Sequence, residues 1–208
     1  MSYSLNETEA LCKRAARGAG FSWGMAAEAA TAARWLASFD LPGPELLVAR
    51  LTLLDHRALR ESAPRTLQGT WQSESGVLCP IIAGAAMSDC RDRIDKNKPL
   101  SMKSVLMPLL IVPFAALSAN DLGRCIQIEW QAVSVCVRPG ALSIEGNRQD
   151  LMIECATELR CLTDLPRDAT EPCQSRADID TVSWNRLTAF AERTYAPATD
   201  ESRRRGAG

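Results

Sequence analysis

The chain holds one histidine and two tyrosines in 208 residues, and its eight cysteines include no Cys-x-x-Cys pair. With only His56 to offer an imidazole, a zinc site would need several distant thiolates without their usual paired spacing, so no metal is expected. The cysteines (Cys12, Cys79, Cys90, Cys125, Cys136, Cys155, Cys161 and Cys173) sit mostly among apolar neighbours, as reduced structural thiols do, and no disulfide framework is implied. A net charge of one sign is also missing: 24 basic and 25 acidic residues leave −1. No global field draws this chain to nucleic acid or an anionic membrane, so any anion preference must be local. Long apolar runs are absent as well. The most hydrophobic stretch, residues 105–117, is too short to cross a bilayer and is interrupted by Pro108 and Pro113. Residues 1–17 are polar, without the apolar heart of an export signal, so a cytoplasmic location is expected.

What is present is core-forming material, since 46% of the residues are hydrophobic. That is enough for one domain with a substantial interior. Ser4-Leu5-Asn6-Glu7 has the form of a capping box and predicts a helix whose Leu5, Thr8, Leu11, Cys12, Ala15 and Ala16 share one face, ended by Gly18 and Gly20. Ser22 predicts the cap of a second, alanine-rich helix to about Ser38, and Pro44 the first turn of a third carrying Leu47, Val48, Leu51 and Leu54. Beyond a polar connection, residues 77–82 and 105–114 read as buried strands, with a short helical turn over 83–87. The alternation across 125–137 reads as one half-solvated strand, with Gln127, Glu129 and Gln131 towards water. Residues 141–145 and 151–160 then continue an antiparallel meander through turns at 138–140 and 146–147. Asp180 predicts the cap of a last helix ending before Pro197, and residues 198–208 read as a mobile tail.

The tetrapeptide Arg-Gly-Ala-Gly occurs twice, at 17–20 and 205–208, with further arginines before each copy. Arg14, Arg17, the backbone of Gly18, Gly20 and Gly24, and the start of the second helix could form an anion site beside Trp23. Glycine permits close backbone approach, a helix N-terminus carries partial positive charge, and guanidinium forks grip carboxylate or phosphate. The spacing is neither a Walker A loop nor a Rossmann fingerprint, and no cofactor is implied. A glycine-capped corner between two helices accounts for the same residues. At the other end, Tyr195, Arg203 and Gly206 could close over a bound ligand as a lid, whereas arginine-rich ends are commonly just solvated. Cys79, before Pro80, is a thiol nucleophile only if a base or a positive neighbour activates it, and inert burial is the ordinary state of such a residue; Cys90 has charged neighbours but reads as exposed. Glu28 is either a buried general base or an ion-pair partner of Arg34 or Arg17. His56 reads as a C-terminal helix residue facing the dipole.

The runs Ser4-Leu5-Asn6-Glu7 and residues 15–24, with Glu28-Ala29-Ala30, Arg34-Trp35-Leu36, residues 193–197 and residues 202–208, resemble a proteobacterial family known as domain of unknown function 3726. That resemblance implies a stand-alone cytoplasmic, metabolic-type domain and carries no catalytic role with it. Family members continue past the second glycine motif towards acidic residues, so the resemblance also implies a shortened lid or tail at Gly208.

The expected fold is α+β: three N-terminal helices packed on a mainly antiparallel sheet, with a C-terminal helix returning to it and a flexible tail. One domain is expected over 1–208, made of a helical lobe (1–56), a sheet region (69–162), a C-terminal helix (180–195) and a tail (196–208). The expected function is binding of, or catalysis on, a small anionic metabolite, a carboxylate or a phosphate. The alternative is a non-catalytic assembly or regulatory subunit, in a homo-oligomer or with a partner subunit, whose helical lobe docks through Trp23 and Trp35.

Overall fold

The computed structural model describes residues 1–53, 55, 59–164 and 174–195. Helix α1 (Leu5–Gly18) starts from the predicted capping box: the Ser4 hydroxyl accepts the Glu7 amide at 3.2 Å, and the Glu7 carboxylate accepts the Ser4 amide at 2.8 Å. Helix α2 (Trp23–Ser38) is capped by Ser22, and α3 (Gly43–Leu53) carries Pro44 in its first turn. Asp180 caps α7 (Thr181–Glu192). These four helices begin where the sequence places them because each has a local start signal.

The middle of the chain departs from the sequence reading. Only Leu78 in the 77–82 run bridges to a strand, and at Pro80 the backbone turns into helix α4 (Pro80–Asp89). Residues 105–114 are not one strand: β2 (Leu100–Leu106) ends at Met107, a 3-10 turn (Pro108–Ile111) follows, and helix α5 (Val112–Leu122) begins. The prolines read as strand kinks stand in first helical turns, where a fixed φ and a missing N–H cost nothing. An apolar run buried on every side has no period by which strand and helix can be told apart.

Residues 125–137 form a hairpin of β3 (Cys125–Trp130) and β4 (Val133–Arg138), not one strand, because Gln131 takes a left-handed φ of 43° and reverses the chain. Of the residues expected towards water, Gln127 is buried and donates to the Glu129 carboxylate, whereas Glu129 is half-exposed and Gln131 exposed. After β5 (Ala141–Glu145) comes a turn of helix, α6 (Arg148–Leu151), which replaces the start of the strand expected over 151–160. Strand β6 (Cys155–Asp164) then leaves the meander and crosses back between β2 and β3. The sheet order is β2-β6-β3-β4-β5, with every neighbouring pair antiparallel. A small second sheet pairs β1 (Ser2–Ser4) with β7 (Arg176–Asp178), and Tyr3 stacks on Trp184 with ring centroids 3.4 Å apart.

The architecture is therefore α+β. Paired residues Ile126 and Val137, Ile128 and Val135, and Trp130 and Val133 turn one face of the sheet into the core, where α5 covers it and α4 packs on α5. Glu129 and Arg160 form an ion pair at 3.5 Å on the other face. Helix α2 lies behind this layer against α1, α3, α4 and α5, while α7 packs on α1 and α3.

The α1–α7 contact depends on Gly18: a Cβ there would stand 1.8 Å from the Phe190 carbonyl oxygen, whereas a Cβ on Gly24 would meet open space. Gly18→Ala should lose about 2 kcal/mol of stability by overpacking a backbone that has little room to move. Gly24→Ala, in the first turn of α2, should be neutral or gain up to about 1 kcal/mol through helix propensity. Urea denaturation of both variants measures the difference, and equal losses would contradict the packing account.

Candidate functional site

At the α1–α2 corner, Gly20 takes a φ of 102°, which only glycine adopts without strain, and the Phe21 amide closes the turn onto the Ala16 carbonyl at 3.2 Å. Arg17 donates to the Phe21 carbonyl at 2.9 Å and lies 5.4 Å above the Trp23 ring. The structure thus gives Arg17, Gly18 and Gly20 internal partners or tight packing, which is what a capped corner needs.

Arg14 faces elsewhere, into a groove between α1 and α7 of about 430 Å³. Its guanidinium donates to the Tyr195 hydroxyl at 2.8 Å, so two expected ligand residues from opposite ends of the chain do meet. Glu7 and Glu192 line the same groove. Hydrogen bonds from Ser4 hold the exposed Glu7 carboxyl below its usual range, so it is an anion at neutral pH and opposes a second one. Arg203 and Gly206 lie outside the described residues, as does the whole second Arg-Gly-Ala-Gly.

Glu28 belongs to a third place. With Thr31, Ala32, Trp35 and Phe39 it forms the stripe of α2 that lines a cleft of about 140 Å³, whose opposite walls are Pro113, Phe114 and Leu117 of α5 and the Arg138–Ala141 turn. Trp35 and Phe39 pack ring to ring at 4.5 Å. Four polar side chains ring this apolar hollow: Glu28, Thr31, Asn120 and Arg138. The expected partners of Glu28 are engaged elsewhere, Arg34 with Glu9 at 3.3 Å and Arg17 at the corner. Among the described residues neither Glu28 nor Arg138 has an ion pair. The helical spacing of Glu28, Thr31, Trp35 and Phe39 was a usable signal for one wall. Asn120 and Arg138 were missed because the run leading into α5 reads as strand and the turn after Arg138 as mere connection.

Of the thiols, Cys12 and Cys161 are fully buried, and burial pushes both up, Cys161 to about 12. Neither supplies a thiolate nucleophile at neutral pH. Cys90 is half-buried, with the Arg93 guanidinium 4.0 Å from its sulfur. Cys79 is buried at the N-cap of α4, and its positive neighbour is Arg50. His56, the only candidate base among the imidazoles, lies outside the described residues. No three His, Cys, Asp or Glu side chains gather into a metal-holding group among the described residues, and no described helix is long and apolar enough to cross a membrane.

Residues 3–76 match the model of a family described as a protein of unknown function, DUF3726. The N-terminal third of the chain carries that family's signature. It spans α1, α2, α3 and the connection after them, so the resemblance read from residues 4–36 holds and Glu28 lies within it. Neither the curated proteins nor the solved structures give a match.

Arg17→Ala should cost about 1 kcal/mol of stability, because a charged donor to a backbone carbonyl and its packing on Trp23 are both lost. The variant should leave binding at the cleft unchanged. Chemical denaturation alongside a ligand titration separates the two, and a loss of affinity without a loss of stability would return Arg17 to a binding role.

Proposed function

We propose that this protein binds a small carboxylate-bearing metabolite in the cleft between α2, α5 and the Arg138–Ala141 turn. The observation that carries this reading is an apolar hollow whose rim holds a guanidinium and a carboxylate, neither used in a described ion pair. A half-buried arginine with a free fork suits a planar carboxylate, which it grips through two parallel N–H donors. Glu28 suits an ammonium or hydroxyl on the same ligand, and it opposes a phosphate dianion. Trp35, Phe39, Phe114 and Leu117 suit an apolar body. At about 140 Å³ the hollow is near the roughly 150 Å³ of an apolar cavity that admits a benzene ring, so the body is of single-ring size.

The probe is phenylalanine, compared with phenylalaninol, which keeps the ring and ammonium but lacks the carboxylate. Wild-type protein should bind phenylalanine, and Arg138→Met should weaken it about 10-fold or more, as expected for loss of a charge-assisted hydrogen bond. Isothermal titration with both ligands reads this directly. Equal binding of phenylalaninol, or an Arg138→Met variant that binds as wild type does, would remove the basis of the proposal.

The second reading, a subunit that docks a partner through its helical lobe, draws on Trp23, which is 58% exposed at the start of α2. Trp35 does not join it, because it faces the cleft. Docking through Trp23 predicts that Trp23→Ala changes the sedimentation of an assembly while leaving the cleft's ligand bound.

A further inference from the structure

Gly84 stands in the middle of α4, buried, with helix on either side of it. Inside a helix glycine is disfavoured against alanine, so its presence there asks for a reason, and the close approach of another group supplies one. That group is the Phe114 ring of α5. A Cβ at Gly84 would lie 2.3 Å from Cδ2, 2.6 Å from Cγ and 2.8 Å from Cε2 of the ring. Carbon atoms pack at about 3.5–4.0 Å, so the ring fills the space where any other residue would carry its first side-chain atom.

Phe114 is also a wall of the α2–α5 cleft, and no residue of α4 lines that cleft. The ring is therefore the partition between Gly84 and the hollow. Its backbone is not free to shift. The Phe114 carbonyl accepts the Ser88 hydroxyl of α4 at 3.3 Å and the Ser118 hydroxyl of α5 at 2.9 Å, which ties this point of the main chain to both helices. Pro113, immediately before it, holds one more backbone angle fixed and lines the same cleft. Bulky side chains at position 84 would part α4 from α5. A single methyl asks less: the ring must retreat by roughly 1.2 Å or more to regain contact distance. The open space it adjoins is the hollow of about 140 Å³.

We infer, on the reading of that cleft as a ligand site, that Gly84 sets the size of the ligand's apolar body by seating the Phe114 ring clear of the hollow. Gly84 is a positioning residue: it does not line the cleft and acts on it only through Phe114. The charged ends of the ligand are met by Glu28 and Arg138, which Gly84 does not touch. Recognition of the ligand's size and recognition of its charges are then properties of different elements.

The test compares phenylalanine with 2-aminobutyrate, which has the same charged ends and a smaller body, by isothermal titration. It adds xenon, whose uptake into an apolar hollow needs neither Arg138 nor Glu28 and is read from its NMR shift. Gly84→Ala should lower the affinity ratio of phenylalanine to 2-aminobutyrate about 10-fold or more, the discrimination a pocket exerts over one methylene. It should also abolish saturable xenon uptake. Adding Phe114→Leu to Gly84→Ala should restore both. Should Gly84→Ala fail to fold alone, the Phe114→Leu background decides: Phe114→Leu raises the affinity ratio of tryptophan to phenylalanine, and Gly84→Ala added to it brings that ratio back. Xenon uptake that Gly84→Ala closes, in a protein that binds no phenylalanine, supports the partition and counts only against a carboxylate as the ligand. Equal weakening of both amino acids, an unchanged ratio in either background, or a wild type that takes up no xenon overturns the role given to Gly84.

Discussion

Everything in this fold is arranged around one helix that tolerates neighbours on nearly all sides. Ala26, Ala29, Ala30, Ala32, Ala33, Leu36 and Ala37 of α2 are all buried, and α1, α3, α4 and α5 each lie against it. Methyl side chains let those axes approach closely, and close approach is what allows a helical lobe and a sheet-covering pair of helices to share one interior. The same constraint explains the glycines that matter. Gly43, at the start of α3, sits where a Cβ would be 2.2 Å from the Ala33 carbonyl, and Gly84 of α4 rests on the Phe114 ring. Larger residues at any of these positions would separate the layers.

The cleft follows from where this burial stops. Along α2 the positions Glu28, Thr31, Trp35 and Phe39 line the hollow, and α5 stands across it. A hollow results between a helix rich in small residues and the bulkier Phe114 and Leu117. Strand β4 emerges from the sheet at Arg138, and the Pro139-Gly140 turn carries that guanidinium to the rim. Three elements far apart in sequence thus meet through packing that none of them specifies alone.

How legible this was depends on whether a residue's role is set locally. The starts of α1, α2, α3 and α7 were legible because Ser4 with Glu7, Ser22, Pro44 and Asp180 act within four residues of themselves. The ends of the polar hairpins were legible through Gly140 and Gly146. Residues 77–82 and 105–114 were not, because full burial erases the amphipathic period, and Pro80, Pro108 and Pro113 serve equally as strand-edge kinks or as helix starts. The return of β6 between β2 and β3 was also hidden, since strand order depends on long-range pairing. Of the expected site residues, Arg14 and Tyr195 meet, Arg17, Gly18 and Gly20 serve the corner, and Glu28 alone reaches the cleft.

Arg50 shows why a buried charge escapes sequence reading even when its surroundings do not. Leu46, Leu47, Val48 and Leu51 bury most of α3, and an arginine in such a pattern is ordinarily assigned to the face that remains, which Glu45, Ala49, Thr52 and Leu53 occupy. Arg50 lies on the buried side instead. The guanidinium is committed to the interior, and it arrives there beside the thiol of Cys79, where the edge of β2 gives way to α4. That neighbour lies 29 positions further along the chain, and only the packing of the helical lobe against the β2 edge brings the two together.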